Sequence, residues 1–322
     1  MIFEKKIEQI YRSQLYCRPD TRDTVFYFSA EDFEGLKKEP YSIKAAAGHS
    51  LQGYFYSYEN QKDGRLVVFD HGMGGGGHRS YMREIETLAR RGYRVFAYDH
   101  TGCIESGGDS TNGFAQSLCD LNDVICALKS DESFKNMKIS VVGHSWGAFS
   151  SLNIGALHND ITHIVAMSGF CSVATILRQN FCGLLGGFFK RAMEIEREAN
   201  PKFSRFCAAK SLKNTKAKVL VIHSDDDPTV SFEKNFVFLK SKLADKENIE
   251  FLSVTKKGHN PNFTEAAVKY KDAFFAEFQK KQKRGKLKTD EQKKALIESY
   301  DWWRMTEQDE ELWNKIFEFL EQ

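Results

Sequence analysis

The chain has 322 residues, of which 41% are hydrophobic and 28% charged, so it can bury a full core in one main domain with an insertion. Its 46 basic and 44 acidic residues leave a net charge of +2, which gives no sign of a nucleic-acid partner or an anionic membrane surface. The amino terminus lacks a signal-peptide core, and no run reaches the ~18 apolar residues of a membrane span. Seven scattered cysteines without a C-x-x-C pair favour reduced thiols in a cytoplasmic protein over a disulfide scaffold or a zinc site.

The spacing of apolar residues predicts the elements in chain order. An amphipathic helix is expected over 3–16, followed by strand-like runs at 24–29, 41–47 and 51–58. The pattern then changes to continuous apolar strands at 65–70, 93–98, 137–142, 162–167, 218–223 and 248–254. Helical spacing lies between them at 79–91, 146–157, 231–243 and 263–280. Strands that are apolar on both faces and alternate with helices indicate an α/β fold, a mostly parallel central sheet with helices on both faces.

The apolar run 137–142 leads into Gly-His-Ser-Trp-Gly at 143–147, which is the G-x-S-x-G pattern of a nucleophile elbow. The strand before the motif and the helix after it place Ser145 on the sharp turn between them. Such a turn lifts a serine hydroxyl out of the sheet, beside the unpaired N–H groups of the helix start. Both glycines are needed because a Cβ there would collide with neighbouring backbone. We therefore predict Ser145 as a nucleophile.

A glycine-rich loop at 71–78 directly follows the strand 65–70. It lacks the Lys-Ser/Thr ending of a P-loop and the spacing of a dinucleotide fold, which disfavours phosphate binding. A loop without side chains lets backbone N–H groups approach a developing oxyanion. The predicted oxyanion donors are the backbone N–H groups of Met73 and Trp146. The alternative interpretation is a flexible turn.

A serine hydroxyl is a weak nucleophile unless an imidazole accepts its proton and an acid orients that imidazole. Of the nine histidines, only His259 occupies a loop just after the last predicted strand. His144 is expected to point away from Ser145, and His223, on an apolar strand, is expected to be a satisfied core histidine. The acid is one of three consecutive aspartates, 225–227, that follow a strand.

These motifs resemble those of the α/β-hydrolase superfamily, in which nucleophile, acid and histidine occur in the order Ser, Asp, His. The resemblance covers about residues 41–280. Gly258-His259 is similar to the family's Gly-His motif, and His71-Gly72 to the His-Gly of its oxyanion loop. The whole arrangement most resembles the branch of serine aminopeptidases and monoacylglycerol lipases.

The resemblance also implies which aspartate is the acid. In that family the acid commonly sits three residues after a glycine and three before an apolar residue that opens the next helix. Ser224 stands in the glycine's place here and Val230 in the apolar one, which assigns the acid to Asp227. Asp225 and Asp226 remain alternatives.

Family members with a lid insert it between the strand 162–167 and the strand that carries the acid. The resemblance therefore implies an α/β-hydrolase core of residues 1–168 and 217–280, including an N-terminal helix, and a small helical cap of residues 169–216. Aromatic side chains of the cap either line an apolar substrate pocket or hold the cap on the core. The candidates for substrate contact are Phe181, Phe188 and Phe189.

Residues 281–322 follow the last element that the fold requires, and their pattern predicts a C-terminal helical extension. Thr289 to Gln292 has the pattern of a capping box, and a second helix start lies at 306–309. An apolar stripe at helical spacing follows, formed by Leu312, Trp313, Ile316, Phe317 and Leu320. The extension either packs on the core or forms a homodimer contact.

The predicted chemistry is hydrolysis of a small-molecule ester through an acyl-enzyme. His259 takes the Ser145 proton, Asp227 orients the imidazole, and no metal or organic cofactor is expected. Two alternatives remain open. One is a serine aminopeptidase or amidase, in which an acidic cap residue would receive the substrate's amino terminus; the candidates are Glu194, Glu196 and Glu198. The other is a catalytically silent binding protein, which typically lacks a residue of the triad.

Overall fold

The computed structural model describes residues 2–18, 26–62, 64–74 and 76–322. Their strands form one eight-stranded sheet in the order β1-β2-β4-β3-β5-β6-β7-β8. Strand β2 pairs antiparallel with β1 and β4, and all other neighbours are parallel, so the predicted mostly parallel sheet is confirmed. The strands are β1 (Lys37–Lys44), β2 (Ser50–Ser57), β3 (Arg65–Asp70), β4 (Arg94–Tyr98), β5 (Lys138–His144), β6 (His163–Met167), β7 (Lys218–Ser224) and β8 (Ile249–Val254).

Helices precede, connect and follow these strands. The predicted helix 231–243 is a π-helical turn at 233–237 that continues as a short α-helix. In the described ranges the α-helices are α1 (Ile2–Leu15), α2 (Met82–Arg90), α3 (Gln116–Ser130), α4 (Trp146–Ile154), α5 (Val173–Asn180), α6 (Phe189–Ala199), α7 (Ala208–Ser211), α8 (Phe238–Lys242), α9 (Glu265–Lys283), α10 (Asp290–Glu298), α11 (Trp302–Met305) and α12 (Glu310–Leu320).

The sheet separates two hydrophobic cores. Alternate residues of β3 point to opposite faces, so Leu66 and Val68 join one core while Val67 and Phe69 join the other. The first core contains side chains of α1, α3, α4 and the helices between β6 and β7. The second core contains side chains of α2, α9 and the C-terminal helices α10 to α12. Helices therefore cover both faces, which explains why the central strands are apolar on both sides.

Two strand predictions near the amino terminus are corrected. The first two residues of the predicted strand 24–29 lie outside the described residues, and 26–29 form no strand. Phe28 instead packs edge-on against Trp303, with ring centroids 4.7 Å apart, so its apolar character serves a contact with the C-terminal helices. The predicted strand 41–47 begins earlier and ends at Lys44, because Ala45 accepts a turn-closing hydrogen bond from the N–H of Gly48.

Helix α3 has no counterpart among the predicted elements. Its buried face carries polar side chains, including Gln116, Ser117 and Asp120, beside apolar ones such as Leu118 and Leu121. Polar residues at core positions interrupt the apolar spacing that identifies an amphipathic helix in a sequence. Their partners come from strand ends elsewhere in the chain, so only the tertiary structure explains why this segment is helical and buried.

A buried glutamate joins α1 to the segment between β6 and β7. Glu196 of α6 is fully buried and accepts hydrogen bonds from the hydroxyls of Tyr11 (2.6 Å) and Tyr16 (3.1 Å). Its second carboxylate oxygen accepts the backbone N–H of Phe114 at 2.9 Å. Burial raises the pKa of Glu196, and these donors offset part of the cost of enclosing the carboxyl. The N-terminal helix, α6 and the loop before α3 are therefore connected at one point.

The C-terminal helices pack on the second core. The predicted capping box of α10 is present, since Thr289 accepts the N–H of Gln292 and the Gln292 side chain returns to the Thr289 N–H. Asp309 caps α12, within the helix start expected at 306–309. The stripe of α12 is buried within the chain itself, so these side chains offer no exposed apolar face to a second copy: Leu312, Trp313, Ile316, Phe317 and Leu320.

Helix α4 begins in direct contact with the end of β3. A Cβ added at Gly147 would overlap the carbonyl oxygen of Asp70. By contrast, a Cβ added at Gly187 would meet no atom within 4 Å. The two glycines therefore differ in how strictly the packing excludes a side chain.

We expect Gly147→Ala to lower the free energy of unfolding by roughly 2 kcal/mol or more, because α4 must move away from β3 to admit the methyl group. Gly187→Ala is the matched control and should leave it unchanged. Urea unfolding followed by circular dichroism measures both. Equal stability of the two variants would contradict the tight contact between α4 and β3.

Candidate active site

Ser145 lies on a strained turn between β5 and α4. Its backbone has φ +56° and ψ −110°, a region that residues with a Cβ rarely adopt. The turn is held by a hydrogen bond from the Ser145 N–H to the carbonyl of Met167 (2.9 Å) and by the absence of side chains at Gly143 and Gly147. Ser145 is partly exposed although both of its neighbours are buried. The turn therefore brings this one hydroxyl toward solvent.

Ser145, His259 and Asp227 form a continuous hydrogen-bonded chain. The Ser145 hydroxyl lies 2.9 Å from Nε2 of His259, and Nδ1 of His259 lies 2.9 Å from Oδ2 of Asp227. A carboxylate only accepts hydrogen bonds, so Nδ1 donates to Asp227 and Nε2 is free to accept the serine proton. The His259 side chain is 21% exposed, whereas the Asp227 carboxylate is fully enclosed. The three residues singled out in the sequence thus lie together at the carboxyl ends of the strands.

The Asp227 carboxylate is held in its charged form. Burial by itself would raise its pKa, but hydrogen bonds with His223 and His259 and from the backbone N–H of Val230 hold the pKa of Asp227 well below its usual range. Its Oδ1 also accepts the N–H of Thr229 at 2.8 Å. Asp225 and Asp226 make no contact with the imidazole, since Asp226 instead accepts from Ser224 and the N–H of Gly258.

His223 is closer to the site than its place on an apolar strand suggests. Its Nε2 donates to the carbonyl of Val230 (2.9 Å) and lies 3.1 Å from Oδ2 of Asp227, the oxygen that Nδ1 of His259 also contacts. Within the described residues its Nδ1 has no hydrogen-bond partner, so the expectation of a satisfied core histidine holds for one nitrogen only. In the sequence, the only indication of the contact between His223 and Asp227 is that the two residues are four positions apart.

His144 supports the loop that carries His259. Its Nδ1 accepts from the Tyr81 hydroxyl (2.9 Å), and its Nε2 donates to the backbone carbonyl of His259 (2.7 Å). Burial, with the charge of His259, lowers the pKa of His144 to about 3, so it is neutral and suited to this donor and acceptor pair. No sequence signal indicates this contact, because the two histidines are 115 positions apart.

The glycine loop passes directly beside Ser145. A Cβ added at Gly72 would overlap the Tyr81 hydroxyl and lie 3.3 Å from the Ser145 Cβ. Met73 follows at once, and in the described part of the chain its backbone N–H makes no hydrogen bond. The N–H of Trp146 is the first of α4 and has no carbonyl one turn earlier to bond. The segments with the two predicted oxyanion donors therefore both adjoin the serine.

The sequence matches known families over part of its length. A family model described as serine aminopeptidase, S33, matches residues 61–206. A Bacillus subtilis (strain 168) protein, YqkD, described as uncharacterized, is 27% identical over 128 residues. That alignment spans 40% of this chain and 41% of YqkD, so the chain covers less than half of that relative.

Solved structures resemble the chain over more of its length. The Pyrococcus furiosus esterase Pf2001 is 20% identical with a TM-score of 0.59, covering 83% of this chain and 96% of the esterase. The Pyrococcus horikoshii acylaminoacyl peptidase is 18% identical with a TM-score of 0.53, covering 72% of this chain and 38% of the peptidase. These likenesses show that the chain has an α/β-hydrolase fold. The family match covers less than half of the chain, and neither it nor these likenesses choose between ester and peptide bonds.

A buried charge cluster lies beneath this candidate site. His100, at the end of β4, stands between Asp70 (Nε2 to Oδ1, 2.9 Å) and Asp120 (Nδ1 to Oδ2, 3.2 Å), and all three are fully buried. The Tyr98 hydroxyl donates to Asp70 at 2.8 Å, and Ser150 of α4 also donates to it. The cluster therefore ties the end of β3, and with it the glycine loop, to α3 and to the helix that follows the predicted nucleophile.

The protonation of His100 holds this cluster together. Burial opposes its charge, but the carboxylates of Asp70 and Asp120 outweigh burial and raise the pKa of His100 to about 9. At neutral pH the histidine is therefore a cation between two anions. Asp120 receives further hydrogen bonds from Thr101 and Gln116, which offset the cost of its burial.

A cavity of about 360 Å³ opens beside the glycine loop. Met73 and Gly74 form one edge and Asn260, the neighbour of His259, another. The predicted substrate contacts in the segment 169–216 do not line it. The rings of Phe181 and Phe188 pack against Tyr11 of α1, with centroids 5.7 Å and 6.2 Å from the Tyr11 ring. Phe189 lies under the guanidinium of Arg178. A role of these three residues in substrate binding stays a prediction.

Two further observations concern the described residues only. No group of three or more His, Cys, Asp or Glu side chains among them could hold a metal ion. None of their helices combines the length and the apolar content needed to cross a bilayer.

We expect the charge cluster to make stability fall at alkaline pH. The folded-state pKa of His100, about 9, exceeds the ordinary 6.5, so its contribution is complete below pH ~6.5 and is lost as the pH rises through 9. The loss is on the order of 3 kcal/mol. Urea unfolding at pH 7 and pH 10 should show a fall in stability that is larger, by about this amount, in the unmodified protein than in His100→Gln.

The control for this measurement is His158→Gln. Burial lowers the pKa of His158 to about 4, so that histidine is neutral at both pH values and its removal should leave the alkaline loss unchanged. An identical pH dependence in the unmodified protein and in His100→Gln would contradict the charged cluster.

Proposed function

We propose that the protein is a serine hydrolase that cleaves a carboxylic ester of a small molecule. The observation that carries the proposal is the hydrogen-bonded chain from Ser145 through His259 to Asp227, with the hydroxyl partly exposed and the carboxylate enclosed. A catalytically silent binding protein would have no need for a serine, a histidine and an aspartate joined by hydrogen bonds. The esterase among the solved structures of similar fold is consistent with this activity.

The mechanism follows from the polarity of this chain. His259 accepts the Ser145 proton at Nε2 while Oγ attacks the ester carbonyl, and the charged Asp227 stabilises the imidazolium. The N–H groups of Met73 and Trp146 stabilise the oxyanion, a contribution of roughly 3 kcal/mol for each donor. Collapse of the tetrahedral intermediate expels the alcohol, which takes the proton from His259. Water then releases the acid by the same steps.

An aminopeptidase is the second candidate, because the matching family model carries that description. Such an enzyme needs a carboxylate free to receive the substrate's amino terminus. Glu196 is enclosed by Tyr11 and Tyr16, and the other two candidates in α6, Glu194 and Glu198, pair with Arg191. All three carboxylates are already engaged, which favours an ester over a peptide. Aminoacyl p-nitroanilides provide the direct comparison.

We further propose that residues 169–216 act as a cap on a core of 1–168 and 217–280. The helices α5 to α7 follow the carboxyl end of β6, which is the edge of the sheet where the candidate site lies, and precede β7. The connection of α6 to α1 through Glu196 would anchor such a cap. Residues 281–322 form the extension on the opposite face of the sheet.

The triad is tested by hydrolysis of p-nitrophenyl esters from acetyl to palmitoyl. We expect Ser145→Ala and Asp227→Asn each to lower kcat by about 10⁴-fold, because the residues act as a unit. Asp225→Asn is the matched control and should retain full activity, since that carboxylate does not contact His259. A fluorophosphonate probe should label the unmodified protein and not Ser145→Ala. Retained hydrolysis in Ser145→Ala would contradict the proposal.

The same mechanism predicts an acid limb in the rate profile. A protonated imidazole cannot accept the serine proton, so acid should stop the reaction. The depressed pKa of Asp227 keeps its carboxylate charged at mildly acidic pH, so protonation of Asp227 should not contribute to this loss. We expect kcat/KM for p-nitrophenyl butyrate to fall steadily between pH 8 and pH 5. A flat profile would count against His259 as the base.

A further inference from the structure

The cavity beside the glycine loop is enclosed by parts of the chain that are far apart in sequence. Met73 and Gly74 at one edge belong to the loop with a predicted oxyanion donor. Phe263 and Phe275 come from the end of the His259 loop and from α9, and Trp302 comes from α11. One wall is therefore built by the C-terminal extension, a segment that the mechanism above does not use.

Much of the cavity wall is aromatic. The ring of Trp302 packs against Phe274 with centroids 5.1 Å apart and against Phe26 at 6.1 Å, which fixes its orientation at the cavity. Phe26 and Met73 are 40% and 38% exposed, unusually high for large apolar side chains. Exposed apolar side chains around a concave site are typical of ligand-binding clefts. The surface suits the hydrocarbon or aryl part of a substrate.

The charges at the cavity are unequal. Among the described residues that line it, Arg79, Arg83 and Lys271 are basic and Glu84 alone is acidic. Burial raises the pKa of Glu84 and lowers the pKa of Lys271, and the attraction between these two groups offsets both effects in part. Lys271 also bonds the side chain of Asn260. The two arginines therefore supply an excess of positive charge.

Neither arginine forms an ion pair within the described residues. Burial lowers the pKa of Arg83, and the nearby charges of Glu86, Glu84 and Glu307 offset that effect only in part. Arg83 stacks its guanidinium 4.6 Å above the ring of Trp303, and its buried Nε has no hydrogen-bond acceptor. Arg79 forms no ion pair in the same part of the chain and lies 5.8 Å from the ring of Tyr27. By comparison, Arg90 on the same helix as Arg83 pairs with Glu86. A buried guanidinium donor without an acceptor is costly unless a ligand supplies one.

We propose that this cavity binds a carboxylate-bearing part of the ester substrate, with the acid group at Arg79 and Arg83 and the hydrocarbon against the aromatic wall. The inference rests on the proposed function, because it places the ester beside the Ser145 hydroxyl. The proposal gives the C-terminal extension, residues 281–322, a role in substrate choice, because Trp302 lines the cavity. Guanidinium groups favour carboxylates because their planar donors match two acceptor oxygens.

The test compares esters that differ in charge and little in shape. Mono-p-nitrophenyl adipate is compared with p-nitrophenyl hexanoate for a charge on the acyl side, and 4-butyryloxybenzoate with phenyl butyrate for a charge on the leaving group. We expect kcat/KM to favour the carboxylate by about tenfold or more in at least one pair. Equal values in both pairs, or a preference for p-nitrophenyl 6-aminohexanoate, would overturn the proposal.

Variants locate the effect in the cavity. Arg83→Gln, or Arg79→Gln if the first variant is unstable, should bring the ratio of kcat/KM between the charged and the uncharged ester close to one. Arg90→Gln is the matched control, because that arginine lies on α2 away from the cavity, and it should keep the full preference. A preference that survives in both cavity variants would place the acid group elsewhere and refute the assignment.

Calorimetric titration separates failure of this inference from failure of the proposed function. 4-Phenylbutyrate should bind the unmodified protein more tightly than 4-phenylbutyramide, and Arg83→Gln should remove the difference. If no ester is cleaved, the proposed function fails while this binding still supports the cavity assignment. If esters are cleaved without a charge preference and 4-phenylbutyrate does not bind, the cavity assignment fails while the proposed function stands.

Discussion

The left-handed turn at Ser145 is the constraint on which the rest of the site depends. A residue with a Cβ at φ +56° costs on the order of 1–3 kcal/mol, and surrounding structure must supply that energy. Gly143 and Gly147 let β5, α4 and the end of β3 approach closely enough to hold the turn. The hydroxyl is consequently presented at the strand ends, where His259 can reach it.

The buried cluster of Asp70, His100 and Asp120 connects this turn to its surroundings. It joins the ends of β3 and β4 to α3, and Ser150 extends it to α4. Charges so deeply buried are tolerated because each carboxylate faces a cation and further donors. The glycine loop and the Ser145 turn are thereby fixed relative to each other, as a site with backbone oxyanion donors requires.

The two ends of the chain contribute on opposite sides of the sheet. On one face Glu196 binds α1 to α6 through two tyrosines. On the other face the C-terminal helices complete the second core and bring Trp302 to the cavity beside the glycine loop. These two terminal segments therefore pack against the central part of the fold without supplying any member of the hydrogen-bonded chain at Ser145.

The sequence by itself determined the mostly parallel sheet and indicated Ser145, His259 and the three aspartates 225–227, because apolar periodicity and short motifs are local properties of the chain. The resemblance to α/β hydrolases implied Asp227 among the three. Only the tertiary structure decided which histidines surround them, since contacts such as His144 with His259 join residues 115 positions apart and depend on strand order. The same applies to α3, whose buried polar face makes sense only opposite His100. Local patterns record which residues form an element, whereas pairing between distant strand ends follows from how the sheet is assembled.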